Sequence, residues 1–275
     1  MKSLIVHPPQ TTERIVISHI LAIYRALKKL DSLSPSRKAN RLFNRLVEIT
    51  EVFDPSVVNA VFSNTAIQSV LPELRHMCEE GEILFEKYWS HKIQSGTYYK
   101  LRSFPDYDNY VELTGFEYNA LRTITQRSLS RMLHIGSGAL PLTSMCFAQM
   151  YKMQVRAIER DPEALALSRS LITYCNLTKQ VTILEGDANT WHDFENLDVV
   201  LLAAMVGYTK EEKQRTIRNL YTHMKPGQLL LVRTTHSLRS LIYSAIKPED
   251  IPFFTLKAAV HPYTAVRNSV IIAER

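Results

Sequence analysis

Glycine is scarce in this chain, 8 in 275 residues. That excludes glycine-repeat and low-complexity architectures and gives each glycine that is present more weight. Cysteine is scarcer still: Cys78, Cys146 and Cys175 are odd in number, widely spaced and set in apolar stretches. They form no disulfide framework and are expected to be reduced core residues of a cytoplasmic protein. No stretch approaches the roughly 20 apolar residues of a membrane span, and Met1 to Gln10 holds no apolar leader segment. A membrane is therefore not expected as a partner. The net charge of +6 is spread thinly, with Lys28-Lys29 and Arg37-Lys38 the densest pairs. No basic run interleaves with aromatics, so nucleic acid is not an expected partner either. An acidic small molecule and a merely solvated surface explain the charge equally well.

What the chain does have is a large apolar fraction, 45%, enough for a sizeable core, and a change of pattern near its middle. Before residue 125 the periodicity is helical: Val16, Ile20, Ile23, Leu27 and Leu30 share one face, and Leu42, Leu46 and Ile49 another. Between them Asp31 to Ser36 reads as a break, with Ser34 or Ser36 placed to cap the next helix. From Arg131 onward short apolar runs alternate with helical segments over 141–150, 162–175, 210–224 and 237–246, the signature of parallel βαβ units. The last segments, 254–260 and 266–274, read as antiparallel strands at a sheet edge. The expected architecture is α/β: a helical domain over 1–125 packed on a Rossmann-like doubly wound sheet over 126–275, with the site above the carboxyl ends of the strands.

The most informative stretch is Leu133-His134-Ile135-Gly136-Ser137-Gly138-Ala139-Leu140-Pro141, which sets two glycines between a strand and a helix. Pro141 suits the first turn of that helix. Glu159 follows Gly138 by 21 residues and closes the next apolar run, where a carboxylate holds ribose hydroxyls. Val181 to Ala188 reads as a third strand ending in Asp187, where adenine is recognised, and Asp198 to Ala204 as a fourth, buried one. Leu140 and Pro141 stand where a dinucleotide fingerprint wants its third glycine. That counts against a nicotinamide cofactor and favours S-adenosylmethionine, in a domain of the class I S-adenosylmethionine-dependent type.

Several strings resemble nicotianamine synthases: Gly136 to Ser144, Leu201 to Gly207 followed by Lys210-Glu211-Glu212-Lys213, Arg233 to Arg239, and His261-Pro262 with Asn268-Ser269-Val270. The resemblance continues through Leu33 to Ser36, Asn40 to Phe43, Cys78 to Glu86 and Ser103 to Tyr110, and so covers nearly the whole chain. It implies transfer of the 3-amino-3-carboxypropyl (aminobutanoyl) group of S-adenosylmethionine onto a small-molecule amine, releasing methylthioadenosine, in metallophore biosynthesis. It implies no required metal. Bacterial relatives of the opine-metallophore type make one such transfer onto histidine, whereas the plant-like enzymes make successive condensations, and a homodimer stays open.

Attack on the aminocarboxypropyl arm of a sulfonium needs an amine held in line with one carbon and a base to deprotonate it. Glu80, Glu82 and Glu86 are on offer in the helical half, although an acidic run is ordinarily a solvated helix face. The resemblance points to Glu80 as the base with Tyr110 beside it, and Glu82 as its nearest competitor. The residues expected to hold the cofactor are Gly136, Ser137, Gly138, Leu140, Pro141, Glu159, Asp187, Ala188 and Ala203. Arg233 and Arg239 read either as a clamp for an amino-acid carboxylate or as structural ion pairs. Tyr107 reads as substrate wall or interface packing. His236 reads as a substrate contact or a core histidine; neither it nor His261 has a ligand partner at metal spacing. Cys146 reads as structural. The competing expectations are a methyltransferase, which would share the Gly136/Gly138 loop, Glu159 and Asp187, and a binding protein that retained the nucleotide fold.

Overall fold

The computed structural model describes residues 12–96, 100–207, 209–264 and 266–275; the segment read as lacking a leader, 1–10, lies outside them. Five helices come first: α1 Thr12–Leu27, α2 Arg37–Ile49, α3 Pro55–Ser63, α4 Thr65–Gln94 and α5 Tyr107–Ile124. Their starts follow from local chemistry. Ser36 rather than Ser34 caps α2, its hydroxyl accepting from Ala39 N at 3.1 Å. Asp54 caps α3 with Pro55 in the first turn, and Asn64 caps α4. At 30 residues, α4 is about 45 Å long. Its first half packs Ile67, Leu74 and Cys78 into the apolar cluster of α1 to α3, and its second half sends Ile93 into the core against the sheet.

The remainder alternates: β1 Arg131–Ile135, α6 Leu142–Tyr151, β2 Gln154–Glu159, α7 Pro162–Tyr174, β3 Val181–Glu185, β4 Val199–Leu202, α8 Lys210–His223, β5 Leu229–Thr234, β6 Thr255–Val260 and β7 Ser269–Glu274. Strand order is β3-β2-β1-β4-β5-β7-β6. The strands from β3 to β5 are parallel, and β7 pairs antiparallel with both β5 and β6. This is a Rossmann-like doubly wound sheet with the antiparallel edge expected from the last two apolar segments. Side chains alternate between two cores. Met132, Val155, Ala157, Val199 and Leu201 face α5, α6 and α7, while Leu133, Ile135, Val200 and Leu202 face α8. Ala120 and Leu121 of α5 belong to the first of these cores, so the cores do not divide at residue 125, where the pattern changes.

One element differs from expectation. The segment 237–246 is not a helix: only Ser237–Leu241 winds, as a 3₁₀ turn. The Thr234 hydroxyl bonds both Ile246 N (2.8 Å) and Ile246 O (2.7 Å), drawing the segment back across the end of β5. Leu238 and Leu241 are buried instead in the α1–α4 cluster. No helix among the described residues is long and apolar enough to cross a membrane.

Candidate active site

β1 lies between β2 and β4, so the loops leaving β1 and β4 part company there and leave a crevice at their carboxyl ends. α4 lies over this crevice. Its rotation is set by Gly81, which is buried where an added Cβ would stand 2.5 Å from the Phe43 ring of α2. With Gly81 against α2, the carboxylates at 79, 82 and 86, spaced i, i+3, i+7, share the face turned to the crevice.

Two cavities meet there. The outer cleft, about 490 Å³, is bounded by Gly136 and Gly138, by Glu159 to Pro162, by Gly186 to Asn189, by Ala203 to Gly207 and by Glu79 and Glu86. The inner cavity, about 60 Å³, lies beyond Glu86 and includes Glu82, Asp106, Asn109, Tyr110, His134, Ser137, Leu140, Arg233, Tyr243, Arg267 and Asn268. Glu86, Gly136, Gly138, Ala203 and Met205 border both. Gly136 and Gly138 have φ of +80° and +68°, a region costly for any other residue. A Cβ on Gly138 would also lie 2.2 Å from Glu86 Oε2. Glu159 braces this loop: Oε2 accepts from Gly138 N at 2.8 Å, and Oε1 accepts from Arg160 N and Asp161 N, each at 2.9 Å.

Glu86 is the pivot. It is buried, and its Oε1 accepts from the Tyr110 hydroxyl at 2.9 Å. Burial first, and then the nearby Glu82 carboxylate, push its pKa up to about 8, against the opposing bonds from Tyr110 and the Leu140 amide. Glu82 is likewise held above the ordinary carboxylate range, chiefly by burial, while accepting from the Tyr243 hydroxyl at 2.5 Å. Glu79 is raised to about 7 by burial. Asp106 and Arg267 form a bidentate pair at 2.6 and 3.1 Å on the inner wall. Among the described residues, four buried polar atoms around the inner cavity have no partner: Asn109 Oδ1, His134 Nε2, Ser137 Oγ and Asn268 Nδ2. His134 is held neutral, its pKa lowered to about 3 by burial and then by Arg233, and its Nδ1 meets Ser144 Oγ at 2.9 Å. Buried polar groups are ordinarily paired, so this ring of acceptors and donors suits a polar guest of mixed charge.

The family model described as "Nicotianamine synthase protein" matches residues 9–275. The chain belongs to the nicotianamine synthase family. It is 31% identical to the nicotianamine synthase of Solanum lycopersicum over 94% of its own length and 83% of that protein's. It is 33% identical to nicotianamine synthase 3 of Oryza sativa subsp. indica over 94% and 78%. Among solved structures, its fold matches that of MtNAS in complex with MTA and tNA, with a TM-score of 0.83 at 22% identity, covering 97% of this chain and 99% of that one. It also matches a glutamate-to-glutamine mutant of MtNAS in complex with S-adenosylmethionine, with a TM-score of 0.82 at 24% identity over 95% and 98%.

Within this family fold, the residues singled out from the sequence sort unevenly. Gly136, Gly138, Glu159, Asp187, Ala188 and Ala203 all border the outer cleft, and Ser137, Leu140 and Tyr110 border the inner cavity. Pro141 is buried at the cap of α6 and faces neither. Glu80 needs correction: it is exposed and borders neither cavity, because it lies 200° around the helix from Glu82 at 100° per residue. Glu86, beside Tyr110, takes the place expected for it.

Arg233 borders the inner cavity, but two of its three nitrogens are already engaged within the protein. Nε and Nη2 donate to Glu117 at 2.6 and 2.9 Å, and Nη2 also to Thr143 Oγ1 at 2.9 Å, which is the ion-pair reading rather than the clamp. Arg239 is buried away from both cavities, donating to the Pro262 and Thr264 carbonyls and lying over the Phe53 ring. His236 stacks on Phe53 with its Nδ1 on Ser269 Oγ at 2.9 Å, and borders neither cavity. Tyr107 packs half-buried against the core at the start of α5, also outside both. No cluster of metal-ligating side chains occurs among the described residues.

Sequence reasoning passed over Asn109, His134, Tyr243, Arg267 and Asn268. Asn109 and Asn268 stand inside strings that had been noticed for other reasons. The polar His134 within the buried, otherwise apolar run 132–135 of β1 was a readable signal, since a buried strand tolerates such a residue only where it has a use or a partner.

Proposed function

We propose that this chain transfers the 3-amino-3-carboxypropyl group of S-adenosylmethionine onto an amine and releases methylthioadenosine. The observation that carries the reading is Glu86: a buried carboxyl with a raised pKa, held by Tyr110, that borders both the outer cleft and the inner cavity. The outer cleft suits the adenosine part, with Asp187 and Ala188 toward the base, Glu159 toward the ribose and the Gly136–Gly138 turn beneath the chain. The sulfonium's aminocarboxypropyl arm then passes Gly138 toward the inner cavity, where His134 and Ser137 await polar partners. Family membership supports the same chemistry, as do the S-adenosylmethionine and MTA named with MtNAS.

The acceptor's nitrogen lone pair forms the new bond to the arm's terminal carbon as the C–S bond breaks. The bonding pair returns to sulfur, leaving a neutral thioether, and the nitrogen's proton passes to the Glu86 carboxylate. Approach from the inner cavity reaches that carbon and not the methyl. Geometry thus selects among the three electrophilic carbons of the sulfonium.

The test is mass spectrometry of the protein incubated with S-adenosylmethionine, with and without L- or D-histidine. Methylthioadenosine with an aminobutanoyl gain on an amine is the expected result. A gain on histidine would identify a single-transfer enzyme for an opine metallophore. S-adenosylhomocysteine in its place would make the protein a methyltransferase and overturn the proposal.

The loop itself is testable. Gly138→Ala places a Cβ against Glu86 Oε2 in a left-handed backbone. The expected outcome is a loss of ~1–3 kcal/mol of stability from backbone strain, with a fall in turnover as Glu86 is displaced. Turnover unchanged from wild type would show that Glu86 does not need its observed position.

A further inference from the structure

Glu86 is not alone in being a buried carboxyl paired to a tyrosine. One turn earlier on the same face of α4, Glu82 accepts from Tyr243 as Glu86 accepts from Tyr110. Both pairs border the inner cavity. Positions i and i+4 on a helix have Cβ atoms ~5–6 Å apart. Two nitrogens joined by three carbons in an extended chain are ~5 Å apart, four bonds of about 1.5 Å in a zigzag. The reaction proposed above generates that spacing, since each aminobutanoyl unit adds an amine three carbons from the nitrogen it joins.

Resting on the function proposed above, we infer that Glu82 with Tyr243 is a second amine-binding station. It holds an ammonium of the acceptor one unit away from the nitrogen that reacts at Glu86, and so selects acceptors that carry a second amine at that distance. Each such unit also brings a carboxylate. Asn268, more than nine-tenths buried on the same wall, has a side-chain Nδ2–H donor without a partner among the described residues to meet it. The charge balance agrees. Glu82 and Glu86 crowd one desolvated space, and the Glu82 carboxylate raises the cost of ionising Glu86. Arg233 and Arg267, the cations beside them, are already committed to Glu117 and Asp106. A two-ammonium acceptor supplies the missing positive charge, which a one-ammonium acceptor does by half. Glu82 on this account is a specificity-determining residue, and the base remains Glu86.

The experiment compares two probes that differ by a single amine, 2,4-diaminobutanoate and 2-aminobutanoate, each with saturating S-adenosylmethionine. Methylthioadenosine release is the readout, in the wild type, Glu82→Gln and Tyr243→Phe. The wild type is expected to favour the diamine in kcat/KM. Glu82→Gln is expected to shrink that preference at least about tenfold, the scale of one charge-assisted hydrogen bond, through KM for the diamine. Tyr243→Phe should shift it in the same direction and serves if the glutamine variant folds poorly. An equal fall for both probes, or a wild type that does not discriminate, would overturn the inference while leaving Glu86 chemistry standing. Absence of methylthioadenosine with any acceptor would remove the underlying function and the second station with it.

Discussion

Glu86→Gln is expected to slow methylthioadenosine release by about 10²–10⁴-fold, the range over which a positioned general base contributes, with S-adenosylmethionine binding retained. Glutamine keeps the size and the hydrogen bond to Tyr110 but cannot take a proton. Calorimetric binding that survives alongside a turnover loss in that range separates this role from mere misfolding, whereas turnover within a few-fold of wild type would remove Glu86 as the base. The pH dependence has a definite sign. The base works as a carboxylate, so kcat should rise with pH along a limb near 8, where the buried Glu86 loses its proton, and that limb should vanish in the glutamine variant. Stability runs the other way. Because the folded pKa lies above the unfolded value, the folded state binds the extra proton. The Glu86 contribution is therefore full below the unfolded pKa near 4.5 and is lost as pH rises through about 8. Urea unfolding of wild type and Glu86→Gln across that window measures it.

The second large effect is structural. Glu117 is fully buried and meets the buried Arg233 in a bidentate pair that joins α5 to β5 beneath the inner cavity. Glu117→Ala leaves a guanidinium without its counter-charge in the core and should cost ~3–5 kcal/mol, read as a lower urea midpoint at unchanged slope. Replacing both partners, Glu117→Leu with Arg233→Met, should recover most of that loss, since the cost lies in the orphaned charge more than in the missing bond. Activity should not recover with it, because Arg233 also borders the inner cavity and its charge acts on Tyr110. A Glu117→Ala midpoint within ~0.5 kcal/mol of wild type would show that water or another carboxylate reaches Arg233.

The features legible before the structure are those whose causes are local. The strands over 131–135, 154–159 and 199–202 and the helical segments after them announce themselves by apolar pattern, and the structure starts α7 and α8 with equally local chemistry, the Asp161 cap and the Thr209/Glu212 capping box. Gly136 and Gly138 after β1 were readable for the same reason, because a turn with positive φ needs glycine wherever the rest of the chain goes. The helix expected over 237–246 failed because a long-range tie, Thr234 to Ile246, outcompeted helical propensity.

The choice among Glu80, Glu82 and Glu86 was not legible for a different reason. All three are acidic residues on one helix, alike in composition, and only the rotation of α4 tells which of them border the cavities. That rotation comes from Gly81 meeting Phe43, a contact with another helix that helical periodicity cannot supply when the acids outnumber the apolar markers. In the same way Arg233 stayed open between a ligand clamp and an ion pair, because its partner Glu117 lies 116 residues earlier in the chain.

By itself, then, the order of residues determined the parallel sheet, its antiparallel edge, the glycine turn and the family, because capping, pleating and backbone sterics act over a few neighbours. Only the tertiary structure decided which carboxylates face the two cavities, which arginines are already paired and that two tyrosines from distant segments meet the same helix. Desolvation and ion pairing depend on what fills the space around a group, and that space is closed by chain elements far apart in sequence.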